Sequence, residues 1–342
     1  MSDSLPERNK QFIKWHFQYQ IDIFIFQEHW LMQNFNSVDY LRSKNVSVIC
    51  IQHSFFLFPF IKNSDKEPNH FILSASINSY KNVQGVVCLS KTDVQLFKAA
   101  GVEQTVYIPN PLTFDLTQNI SLLINKNVII VGRLDKLFKQ QHLAISAMKK
   151  VVQLDKTIQL QIIGDGDKKY TQELHQMVKE NQLENNVQFI PFQKNITKFY
   201  QNASAMWVTS AMEGFPMVVA EAKVFGLPII AFDLEYPALW EKGLVKVPPM
   251  DVEQLAALTV EILNNKTKMH ELQLEALESI QEFHLNQTVQ KWKQLIDQIM
   301  NKQQITYSSG METSQAKKIM HNQLKAINVD LFYLFEELHE MI

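Results

Sequence analysis

The sequence predicts an α/β protein built from two open, parallel β-sheets covered by helices, and three observations carry that prediction. Short β-branched runs recur along the chain, and most are continuous rather than alternating, as strands buried on both faces of a parallel sheet require. Segments with helical spacing separate them, such as HLAISAMKKVVQL and YTQELHQMVKENQL. That rhythm of strand and helix marks sheets with helices on both sides. Finally, a polar stretch around 110–126, with Pro111 after Asn110, interrupts the series and reads as an interdomain linker.

Taken in order, the expected strands before the break are IDIFIF (21–26), VSVICI (46–51), GVVCLS (85–90) and TVYIP (105–109). After it come NVIIVG (127–132), IQLQIIG (158–164), VQFIPF (187–192), AMWVTS (205–210) and LPIIAF (227–232). This divides the chain into a small first domain over 1–118, a larger second domain over 119–302 and a helical extension over 303–342. The extension opens with the turn-rich QQITYSSGMETSQ and continues with Leu324, Ile327, Leu331, Leu334, Leu338 and Ile342 at helical spacing. Such a stripe more often packs on its own protein than on a partner, the alternative being homo- or hetero-oligomerisation through 303–342.

Composition narrows the function classes. With 342 residues, 46% hydrophobic and 20% charged, the chain has apolar mass for two cores. The net charge of -2 implies no basic face, so nucleic acid is not an expected partner. Cys50 and Cys88 both lie in apolar runs, which supports neither a disulfide framework nor a zinc site. The opening MSDSLPERNKQF has no apolar signal core, and the expected compartment is cytoplasmic.

Two segments carry chemistry. In VGRLDKLFKQQHLAI (131–145) a strand runs into Gly132, a turn holds Arg133 and Lys139, and a helix follows. Two cations at the carboxyl end of a parallel strand suit a phosphorylated ligand. In AMEGFPMVVAEAKVFG (211–226) a loop leads into a helix with Pro216 at its first turn, where proline is favoured. Backbone amides over 214–217 would then be unpaired at the helix start, a site suited to a diphosphate. Glu221 stands among Val218, Val219, Ala220 and Ala222, where a charge needs a purpose; a carboxylate there can accept from two neighbouring hydroxyls, as on a ribose.

These segments, with QIIGDGD, VQFIPF and PPMDVEQLAALTVEIL, resemble in order and spacing the family 4 glycosyltransferases, over essentially all of 105–300. The resemblance implies the GT-B fold, two Rossmann-like domains facing across a cleft, and a retaining, metal-independent transfer from a nucleotide sugar to a saccharide or lipid-linked acceptor. Glu213 and Glu221 match the family's E-x7-E pair. By that match Arg133 and Lys139 hold the donor diphosphate, and Gly214, Phe215, Pro216 and Met217 present the helix start to it. Glu213 faces the sugar and Glu221 binds the nucleoside. His53 matches a histidine that contacts the sugar or assists the reaction, work suited to a side chain that titrates near neutral pH. Glu28 and His29 are weaker candidates of the same kind.

Asp165 and Asp167 form a D-x-D where relatives have a Gly-Asp-Gly turn, so neither a metal nor a cofactor is expected, and Arg133 and Lys139 supply the neutralising charge. The donor is expected to be a UDP- or GDP-sugar. Acceptors in the family imply surface polysaccharide or glycoconjugate synthesis and peripheral association with the inner face of a membrane. The chain departs from the family at its start: a helical segment, PERNKQFIKWHFQYQ, stands where relatives have a strand and a glycine-rich loop. The first domain is therefore expected to be shortened. A glycosyltransferase-like binding subunit, completed by a partner chain or a missing segment, is the alternative reading.

Overall fold

The computed structural model describes residues 14–27, 35–54, 77–112, 114–115, 119–235 and 237–326. The chain divides into two compact units. The first holds residues up to Pro109 together with Thr288–Leu324; the second holds Asn110–Gln287.

The first unit is built on four strands, β1 (Ile23–Gln27), β2 (Ser47–Gln52), β3 (Gly85–Cys88) and β4 (Thr105–Tyr107), hydrogen-bonded in that order and all parallel. Helices α1 (Phe35–Ser43) and α2 (Lys91–Ala99) serve as crossovers. Ser90 starts α2 by accepting a hydrogen bond from the Asp93 amide at 3.0 Å, satisfying one orphan donor of the first turn. Residues 14–19 are helical, as their sequence predicts.

The second unit holds a six-stranded sheet of β5 (Asn127–Val131), β6 (Gln159–Ile163), β7 (Val187–Ile190), β8 (Ala205–Val208), β9 (Ile229–Phe232) and β10 (Leu244–Val247). Its order is β10-β9-β8-β5-β6-β7, with every pairing parallel. Val128, Ile130, Leu160, Ile162, Trp207 and Ile230 form its buried core, packed with residues of α3 (Gln141–Leu154), α4 (Lys168–Glu180) and α7 (Val252–Leu263). Between α4 and α7 in the chain lie α5 (Thr197–Asn202) and α6 (Met217–Val224). Trp207 is fully buried and its indole N–H donates to Thr259 Oγ1 at 2.8 Å, so the polar edge of the ring is satisfied inside the core.

All nine expected strands are present; β1 and β2 start later and run one residue past their expected ends, to Gln27 and Gln52, and the other seven are trimmed. The tenth, β10, was not among those expected. It is four residues long, contains Lys246 and is confined between Gly243 and Pro248, too short for a periodic signal.

The units differ from the expected segments at two places. The polar stretch after Asn110 belongs to the second unit, where Ser121 is buried, its amide donates to Phe225 O at 2.9 Å, and its carbonyl accepts from Gln273 at 2.9 Å. Helix α8 (Lys266–Ser279) belongs to the second unit, and the chain after 287 returns to the first through α9 (Leu285–Met300) and α10 (Thr313–Ala326). Leu295, Ile299 and Ile305 pack with Ile49, Val87 and Val106, and Gln95 donates to Thr313 Oγ1 at 2.7 Å. Residues 303–324 therefore belong to the first unit, while Ile327 to Ile342 and the side chain of Leu324 lie outside the described residues. No helix among the described residues is long and apolar enough to cross a membrane.

Candidate active site

In the second sheet the chain moves from β5 outward to β6 and β7, then returns through β8 and moves the other way to β9 and β10. Open α/β sheets bind ligands at such a switch point, beyond the carboxyl ends of the two central strands. The loops after β5 and β8 carry most of the residues the sequence singled out.

The loop after β5 is held by its own polar groups. Asp135 accepts from the amides of Leu137 and Phe138 at 3.0 and 2.8 Å through one oxygen, and from Arg133 at 2.6 Å through the other. Gln141 donates to Arg133 O at 2.9 Å and accepts from the Asp135 amide at 3.2 Å. The neighbouring GDGD turn packs directly on this loop. Leu134 donates to Asp165 O at 2.9 Å, and a Cβ on Gly164 would sit 2.1 Å from Gly132 O, at a φ of 142°. Only glycine fits that approach.

Both acids of the D-x-D have structural partners: Asp165 accepts from the Phe192 amide at 3.2 Å, and Asp167 caps α4 by accepting from the Tyr170 amide at 2.8 Å. Among the described residues no three His, Cys, Asp or Glu side chains gather as a metal site would need.

The loop after β8 is joined to the first by two hydrogen bonds. Ala211 donates to Phe138 O at 2.7 Å, and Thr209 donates to Lys139 O at 2.9 Å. This brings Lys139 Nζ within 2.6 Å of Glu213 Oε1, which also accepts from Ser210 Oγ at 2.6 Å. Glu213 is only 9% exposed, whereas Lys139 is 26% exposed and Arg133 70%. A small hollow lies against this pair, lined by Lys139, Gln141, Thr209, Ser210, Glu213 and Val218.

Helix α6 begins after Pro216, with no side-chain cap. The expected row of unpaired amides over 214–217 is narrower than the sequence implied. Pro216 has no N–H, and Met217 donates to Phe215 O at 2.8 Å. The amides of Gly214 and Phe215 donate to no acceptor among the described residues and remain available to an anion. Glu221, in the second turn of α6, is half-buried and accepts from Tyr200 at 2.8 Å.

His53 lies in the first unit, just past β2, with its ring against the side-chain oxygen of Gln27 at the end of β1. Glu28, His29 and residues 55–60 lie outside the described residues.

Sequence reading missed Asp135, Gln141, Ser210 and Tyr200, ordinary polar residues whose roles depend on partners distant in the chain. It also missed Lys223, although the same signal that marked Glu221 marks it: a charge in an apolar helix. Lys223 is fully buried, and its ammonium donates to Leu239 O, Lys242 O and Ser279 Oγ at 2.8, 2.6 and 3.3 Å. Burial brings its pKa down to about 8, against the opposing pull of Glu241, Glu275 and Glu282.

Comparison with known proteins agrees with this geometry. Residues 120–278 match the family model described as glycosyl transferases group 1. An uncharacterized glycosyltransferase of Haemophilus influenzae is 30% identical over 128 residues, 37% of this chain and 35% of the relative. The amylovoran biosynthesis glycosyltransferase AmsD of Erwinia amylovora is 40% identical over 74 residues, 22% of this chain and 20% of the relative. The chain thus spans well under two thirds of the length of these relatives. The crystal structure of Anabaena HepE in complex with UDP superposes with a TM-score of 0.71 at 21% identity, covering 84% of this chain and 81% of that one. With two all-parallel sheets, that likeness gives the chain the GT-B fold.

Proposed function

We propose that this chain, whose residues 120–278 match the family model of the group 1 glycosyl transferases, transfers a sugar from a nucleoside-diphosphate sugar to a saccharide or lipid-linked acceptor, with retention and without a metal ion. The observation that carries this reading is the meeting of Lys139, Glu213 and the available amides of Gly214 and Phe215 at the switch point of a parallel sheet. When the bond between the anomeric carbon and the diphosphate breaks, negative charge grows on the leaving oxygen. Lys139, Arg133 and the two amides are positioned to stabilise it, a role that fixed donors fill without reorganising during the reaction.

Glu221 accepts hydrogen bonds from the ribose, and Glu213 stands beside the sugar, held by Lys139 and Ser210 until donor binding. His53 takes the role its match to the family implies, contact with the sugar or assistance to the reaction. The UDP bound by HepE and the amylovoran biosynthesis of the Erwinia relative support a uridine nucleotide and a surface-polysaccharide acceptor.

The test is titration calorimetry with UDP- and GDP-sugars, with and without a chelator, alongside a turnover assay. Binding should survive chelation and fall at least tenfold in Glu221→Ala. Unchanged binding in that variant, or strict dependence on a divalent ion, would overturn the reading.

A further inference from the structure

We infer that Tyr200 is the positioning residue for Glu221 and that, through it, Tyr200 sets the preference of the nucleotide site for ribose over 2′-deoxyribose. This inference rests on the glycosyltransferase reading above. Its basis is a buried arrangement that the assigned site does not include. Tyr200 lies within α5, is fully buried, and donates its hydroxyl proton to Glu221 Oε2 at 2.8 Å. Its ring lies nearly parallel to that of Phe225, centroids 5.3 Å apart at 18°, and edge-on to Phe114 at 6.3 Å and 85°. Phe114 and Phe225 in turn meet at 5.4 Å. The hydroxyl therefore has a fixed origin, set by three rings rather than by a rotating chain.

The proton stays on Tyr200. Burial first, and then the negative charge of Glu221, raise the phenol's pKa well above its ordinary value. Tyr200 is thus the donor in its bond to Glu221.

The consequence concerns the carboxylate plane. A glutamate rotates about its last torsion with little preference, because that torsion is broad. Two vicinal hydroxyls, the 2′ and 3′ of a ribose, donate well only to a carboxylate whose plane is held. Fixing Oε2 orients both oxygens before the nucleotide arrives, which removes an ordering cost from binding. A 2′-deoxyribose offers only one of the two donors and gains less from that orientation. Ribose selectivity therefore depends on Tyr200 even though Tyr200 need not touch the sugar.

The experiment measures affinities of the full chain for UDP and 2′-deoxy-UDP, and for the guanosine pair, by titration calorimetry. The variants are Tyr200→Phe, Glu221→Gln and the double variant. Phe keeps the ring and its stacking, and a thermal melt reports the fold. The parent should prefer the ribonucleotide. Tyr200→Phe should weaken UDP binding about tenfold, the scale of one hydrogen bond to a charged group, and 2′-deoxy-UDP binding much less.

Glu221→Gln should show the same collapsed ratio, and adding Tyr200→Phe to it should change the ratio no further. A purely structural role would weaken both nucleotides equally and persist in the Glu221→Gln background; either result overturns the inference. If Tyr200→Phe does not fold, a ribose preference retained in Glu221→Gln overturns it as well. A parent that binds no nucleotide overturns the glycosyltransferase reading and this inference together. A parent that binds, with a ratio unchanged in Tyr200→Phe, overturns the inference alone.

Discussion

Lys139 Nζ lies 2.6 Å from Glu213 Oε1, although the two residues are 74 positions apart in the chain. The cation expected to hold a diphosphate and the acid expected to face the sugar are thus paired with each other. Under the proposed reading a bound diphosphate would share Lys139 with Glu213, which also accepts from Ser210.

Removing one partner of this pair should cost more than removing both. Lys139→Met leaves Glu213, 9% exposed, without its cation. Breaking a fully buried pair costs 3–5 kcal/mol, and the partial exposure of Lys139 reduces the expected loss here to about 2 kcal/mol. Lys139→Met with Glu213→Gln should recover most of that, since glutamine still accepts from Ser210. Urea unfolding of the three proteins checks this.

Arg133 should behave in the opposite way. Its bond to Asp135 is a surface pair on a side chain that is 70% exposed. Arg133→Ala should change stability by less than about 0.5 kcal/mol while lowering nucleotide affinity roughly tenfold. A thermal melt and a binding titration on one preparation separate the two effects.

Gly164→Ala should disable the loop that carries Arg133 and Lys139. The new methyl would meet Gly132 O at 2.1 Å, a contact with backbone that no rotamer relieves. The expected outcome is a loss of about 3 kcal/mol or failure to fold, read by circular dichroism and urea unfolding.

A pH effect should come from His142. Its amide donates to Tyr170 OH at 3.0 Å, and its Nδ1 lies 3.0 Å from the same oxygen, which stands in for the side-chain cap that α3 lacks. Burial, with the nearby Lys136 adding to it, lowers the His142 pKa below 6.5, while burial pushes Tyr170 up to about 12. Below pH 6.5 the unfolded chain takes up a proton that the folded chain refuses, so folded stability should decline as pH falls through that range. Comparing Tm from pH 7.5 to 5 in the parent and in His142→Gln checks this, since the variant should show a shallower decline.

Lys223→Met should destabilise the second unit despite being apolar. It removes the donor to Leu239 O, Lys242 O and Ser279 Oγ and leaves those acceptors buried near α6. A cost of about 1–3 kcal/mol is expected, measurable by urea unfolding with an unchanged m-value.

The sequence by itself determined nine of the ten strands of the described residues and marked the candidate donor-site residues. Continuous runs such as NVIIV and AMWV are legible as strands because burial on both faces demands apolar side chains at every position. Glu221 was legible because a charge inside an apolar helix has few ordinary explanations. The ends of the units were not legible, because packing decides them. Ile305 joins the first unit by contacts to Ile49 and Val87, and nothing local in QQITYSSGMETSQ announces that.

The tertiary structure alone decided which charges meet. Lys139 reaches Glu213, Tyr200 reaches Glu221, and the Met217 amide is spent on Phe215 O. The physical reason is the same in each case. Periodicity and composition report burial, a property of one residue in its neighbourhood. A hydrogen bond is a property of two residues, and the order β8-β5 in the sheet brings Lys139 and Glu213 together across a long stretch of chain.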